Sequence, residues 1–195
     1  KLGIESRRAS DSIVNLNLRL LSTTTKFNDY LTGGNGYPVV TVDGLNNGSF
    51  VFNLKNFHKN PVYGVSVHIY SYGCLKKLLN DNNDNVPFDS FVDNCKIYEW
   101  VNLSQISPIG GYRSAYIQNV SEGTYFAQIV SLGKFNIETL VVLQNETKLV
   151  YGFQILDLEG NVIQHSYSID TSREFKSKID SVLNSIDLSK GKFIH

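Results

Sequence analysis

Turn residues punctuate this chain at short, regular intervals. Between Tyr37 and Ser168, short runs rich in β-branched and aromatic residues are separated by turn clusters, with one insertion breaking the rhythm. The longest run, Val62 to Tyr72, sets Val65, Val67 and Ile69 on one side and Ser66, His68 and Tyr70 on the other, the period-two pattern of a sheet whose faces differ. Further strands are read at Tyr37 to Val42, Ser49 to Leu54, Lys96 to Leu103, Tyr112 to Asn119, Thr124 to Leu132, Ile137 to Leu143, Lys148 to Leu156 and Val162 to Ser168. Turn chemistry stands between them, for example at Asp43 to Gly48, Gly110-Gly111, Glu122-Gly123 and Glu159-Gly160. Strands joined by tight turns pair antiparallel, because a parallel neighbour needs a long crossover. With 195 residues, 42% of them hydrophobic, the chain can bury one proper core. The expectation is a mainly β fold, an antiparallel sandwich or barrel over residues 35–170, with the insertion at 74–95.

Two helical segments flank it. In residues 1–34, Leu2, Ser6, Ala9, Ile13, Leu16, Leu20, Thr23, Phe27 and Tyr30 recur at alternating spacings of four and three, a heptad seam with two polar members. Gly33-Gly34 supply a left-handed stop. This helix is expected to pack on its own domain; the alternative is the end of a coiled coil or stalk, with homo-oligomerisation through Lys1 to Leu31. In residues 171–195, Thr171 and Glu174 have capping-box spacing, and Phe175, Ile179, Val182, Leu183 and Ile186 share one helical face. That helix is expected to pack on the strands or on the first helix.

At Phe50 to Asn56, followed by Asn60-Pro61 and the alternating Val62 to Ile69, the chain resembles bacterial immunoglobulin-like or fibronectin-like β-sandwich domains. An apolar-x-apolar-x-Asn strand leads into a Pro-containing turn, where the Asn can bond the turn backbone and Pro occupies a place that needs no ladder N–H. Tyr125 to Ile129 and Gly152 to Leu156 fit the second half of such a sandwich. The resemblance implies an antiparallel immunoglobulin-like sandwich, here with an N-terminal helix and a C-terminal amphipathic helix, acting as an extracytoplasmic or membrane-tethered binding or spacer module. It brings no site residues with it, and the antibody arrangement of Trp between two Cys is absent, since Trp100 follows both cysteines.

Charge and motif content narrow the function classes. Lys plus Arg and Asp plus Glu balance at 18 each, without the basic stripe that nucleic-acid binding requires. No apolar run approaches the length of a membrane span. A nucleophile elbow, a phosphate-binding loop and a zinc-binding His-Glu-x-x-His are all missing. The chain begins at Lys1 and contains no Met, so it is expected to be a piece of a longer protein.

Interest therefore falls on the insertion. Cys74 and Cys95 bracket it; a disulfide is favoured over two free thiols or a redox pair, and would imply an oxidising compartment. Inside it, Asp81, Asn83, Asn85 and Asp89 repeat the oxygen-ligand spacing of a helix-loop calcium site, but Val86 and Val92 stand where Gly and a closing Glu belong. A solvated turn-rich loop competes with this metal reading, and no other cofactor is implied. Around the insertion, Tyr72, Tyr98, Trp100 and Tyr112 are candidates for an amphipathic recognition surface. The leading expectation is a non-catalytic module binding a protein or carbohydrate partner. The alternatives are an assembly domain oligomerising through its helices, and a calcium-dependent or carbohydrate-active enzyme using Asp89, Asp93 and Glu99.

Overall fold

The computed structural model describes residues 2–32, 34–44, 49–81, 94–117, 122–132, 134–145, 148–169 and 171–185. Among these the fold is mainly β, with antiparallel sheets and three helices. In chain order the elements are α1 (Leu2–Thr32), β1 (Val39–Gly44), β2 (Phe50–Lys55), β3 (Val62–Ser71), α2 (Tyr72–Asp81), β4 (Lys96–Ile106), β5 (Tyr112–Ile117), β6 (Gly123–Ser131), β7 (Lys134–Asn145), β8 (Lys148–Leu156), β9 (Val162–Tyr167) and α3 (Arg173–Ser185). The strands form a three-stranded sheet, β1-β2-β5, and a six-stranded sheet, β4-β3-β6-β7-β8-β9.

Each sheet turns an apolar face to the other. Val40, Val42, Phe52 and Leu54 from the small sheet share one core with Val65, Val67, Ile69, Ala127, Ile129, Leu140, Val142, Phe153 and Ile155 from the large one. Phe52 of β2 meets Tyr125 of β6 edge to face, with ring centroids 5.6 Å apart, an arrangement that suits the quadrupoles of both rings.

The opposite face of the large sheet is covered by helices, giving a third layer. Helix α2 lays Leu75 and Leu78 on Tyr70, Phe126 and Ile137. Helix α3 lays Ile179, Val182 and Leu183 on Val141 and Leu143 of β7. The apolar run Thr139 to Leu143 thereby has a physical reason: Leu140 and Val142 point into the inter-sheet core, while Val141 and Leu143 point at α3. Gly152 of β8 lets α3 approach closely. A Cβ there would lie 2.6 Å from Ile179 Cγ2 and 3.0 Å from the Tyr167 ring. Gly152→Ala is accordingly expected to lift α3 and cost about 1–3 kcal/mol, read as a lower urea midpoint at unchanged m-value.

The start of α3 differs in detail from the capping box anticipated at Thr171 and Glu174. The Ser172 hydroxyl receives the Phe175 N–H at 3.4 Å, whereas the Thr171 hydroxyl donates backwards to the Ser168 carbonyl at 2.7 Å. Either residue type serves as a cap; the tight turn at Ser168 to Thr171 takes Thr171 and leaves the role to its neighbour. Glu174 instead pairs with Lys178 one turn on, at 3.1 Å.

Asn56 ties two turns together. Its carboxamide accepts the His58 N–H at 2.9 Å and donates to the carbonyls of Asn60 at 2.8 Å and Ser107 at 3.2 Å. The side chain is fully buried, so these bonds replace the water it would otherwise need.

Candidate functional site

Helix α1 departs from the expectation that it packs on its own domain. The central positions of its seam face water: Ile13, Leu16, Leu20 and Phe27 are 58%, 63%, 67% and 60% exposed. Val14, Leu18, Leu21 and Leu31 are exposed as well. Asp29, in the last turn, comes near the domain, close to Gly34 and Lys134. Gly34 then takes a left-handed φ of 52°, the conformation that ends a helix most readily at glycine.

The domain to which α1 leads is closed along β1 by a polar seam. β1 is an edge strand of the small sheet, and an edge leaves unpaired backbone groups. Side chains from the large sheet meet them. Glu138 Oε2 of β7 accepts the Val40 N–H at 2.8 Å, and Tyr151 of β8 packs against the same core. Just before β1, the Tyr37 hydroxyl donates to Gln164 Oε1 of β9 at 2.9 Å. Glu138 is fully buried among the core residues, and its Oε1 has no hydrogen-bond partner among the described residues. Burial pushes its carboxyl well above the ordinary carboxylate range, against the smaller opposing pull of the Val40 N–H. Burial likewise raises Tyr151, with the nearby Asp43 and Glu138 adding to the effect.

The aromatic candidates Trp100, Tyr98 and Tyr72 fall on the two faces of the large sheet. Trp100 is 7% exposed and belongs to the inter-sheet core, and Tyr98 packs against that core with its ring 5.1 Å from Trp100. Tyr72 packs with the α2 cluster on the opposite face of the large sheet. Tyr112 opens β5 on the small sheet. Cys74 and Cys95 are joined as a disulfide with their Cα atoms 5.5 Å apart, which anchors α2 to the start of β4. Of the calcium-like set, Asp81 ends α2; Asn83, Asn85 and Asp89 lie outside the described residues.

Of the carboxylates considered for an enzyme, Glu99 is paired with Lys96 at 3.2 Å and lies 3.0 Å from His68 Nδ1, while Asp89 and Asp93 lie outside the described residues. A second polar cluster joins β9 to α3: the Tyr167 hydroxyl donates to Asp180 at 2.5 Å, and His165 Nε2 is 3.4 Å from the same oxygen. That hydrogen bond, more than burial, pushes the Tyr167 hydroxyl up to about 12. Among the described residues no group of three or more His, Cys, Asp or Glu side chains is placed to hold a metal ion, and no helix is long and apolar enough to cross a membrane. Comparison with protein families, curated proteins and solved structures returns no match to this chain.

Proposed function

We propose that the chain is a non-catalytic interaction module, an immunoglobulin-like or fibronectin-like sandwich carried on a helix that docks with a protein partner. The observation that carries this reading is the exposed apolar seam of α1, left uncovered by the described elements of its own domain. A helix in water draws most of its stability from packing an apolar face, and exposed apolar patches of this extent mark interaction sites.

The strand order supports the sandwich reading. β1, β2 and β5 lie on one sheet and β3, β6 and β7 on the other, as the strands A, B, E and C, F, G do in an immunoglobulin-like sandwich. β4 pairs with β3 at one edge, and the β8–β9 hairpin extends the opposite side. The disulfide supports an oxidising, extracytoplasmic setting.

Sedimentation of the chain in a lysate of its source cells tests the reading. The wild type is expected to travel in a complex, and an Ile13→Asp/Leu16→Asp variant at the mass of the single chain. Identical single-chain profiles for both would overturn it.

A further inference from the structure

We infer that the partner of α1 is a second copy of this chain, paired antiparallel so that Ile13 of each copy packs on Leu16 of the other. The inference rests on the reading of α1 as an interaction element and adds the identity and direction of what it binds.

The seam positions repeat every three and four residues from Leu2 to Tyr30, the 3.5-residue period that fits a long helix against another helix. Direction follows from what each layer would contain. In a parallel pair identical positions meet, so Ala9 faces Ala9 and leaves a gap, while Phe27 faces Phe27 and crowds the seam. In the antiparallel pair centred between Ile13 and Leu16, position 20 meets the partner's position 9, a Leu against an Ala, and position 27 meets position 2, a Phe against a Leu.

The two polar seam positions meet each other in the same register. Ser6 falls opposite the second copy's Thr23, whose hydroxyl already donates to the Arg19 carbonyl at 2.9 Å and keeps its oxygen as an acceptor. Charge agrees with this choice. Glu5 and Lys26 occupy the same flanking position of the heptad, and residues at that position fall opposite one another across an antiparallel pair. Glu5 of one copy is therefore matched with Lys26 of the other. Sliding one copy by a heptad would set Arg19 toward Arg19 and Thr23 against Ile13. In the favoured register about 26 residues overlap, roughly 40 Å of helix, and the two sandwich domains lie at opposite ends without competing for space. Val14, Leu18 and Leu21 stay on the outer side of the pair.

Light scattering on the purified full chain is expected to give twice 21.9 kDa, falling to the single-chain mass in Ile13→Asp/Leu16→Asp with the near-ultraviolet spectrum of the domain retained. Orientation is read by oxidation of Ser6→Cys and Thr23→Cys variants. A mixture of the two is expected to form a cross-linked heterodimer, and neither alone a cross-linked homodimer. A single-chain mass for the wild type, a mass other than two chains, or a Ser6→Cys homodimer would overturn the inference. A single-chain mass in purified protein alongside a seam-dependent complex in the lysate would overturn self-pairing alone and leave the interaction-module reading standing.

Discussion

The wild type is expected to lose folding stability as pH rises above 4.5, and replacing Glu138 with glutamine to remove that dependence. Glu138 sits between the sheets with one oxygen on the Val40 N–H and the other without a partner among the described residues. Burial raises its folded pKa well above the 4.5 of an ordinary glutamate, so in this window the folded state holds a proton that the unfolded chain has released. Stability from this residue is complete below the unfolded pKa and is lost as pH rises toward the folded one, at about 1.4 kcal/mol per pH unit for one proton. Chemical denaturation of wild type and Glu138→Gln from about pH 4 upward measures the difference. Parallel curves would show that the carboxyl ionises in the fold as it does in water. Asp157 acts in the other direction and lower down: hydrogen bonds from Asn161 depress its pKa, so its contribution is lost only as pH falls through the acid range. Glu138→Leu fills the space but leaves the Val40 N–H unpaired; a loss of about 1–3 kcal/mol relative to wild type near pH 4 is expected.

Removal of the Cys74–Cys95 disulfide is the second large effect. The bond closes a loop with a sequence separation of 21 residues, and the loop-length relation puts its constraint on the unfolded chain at about 3 kcal/mol. Cys74→Ala/Cys95→Ala is expected to lower the denaturation midpoint accordingly, and a reducing agent to do the same to the wild type but not to the variant. Because Leu75 and Leu78 pack on Tyr70 and Phe126 through apolar contact, α2 is expected to stay in place at low denaturant. Loss of helical signal before the main transition would contradict that.

Much of the architecture is legible locally. Alternation and turn residues locate the nine strands of the described residues to within a few positions at each end, and the glycine and apolar spacings locate the terminal helices. These signals are short-range: they depend on φ/ψ preference and on the period of side chains along one segment. The pairing of Cys74 with Cys95 is favoured for a comparably simple reason, since only two cysteines are present.

Tertiary structure decides what each face touches. Period-two alternation says that a strand has two sides, but helices α2 and α3 cover the outer face of the large sheet, so both sides of β7 are apolar and its inward set cannot be picked out by pattern. Glu138 falls on that inward set, and nothing near it in sequence indicates that the unpaired edge of β1 requires its oxygen. Trp100 and Tyr98 stand out in the sequence by type and position, and it is the β3–β4 register that sets Trp100 in the inter-sheet core and Tyr98, partly buried, against it. The first helix is the reverse case. Its heptad seam is plain from residue spacing alone, while the want of a covering element among the described parts of its own domain is a matter of three-dimensional packing, and it is that packing which directs the seam outward.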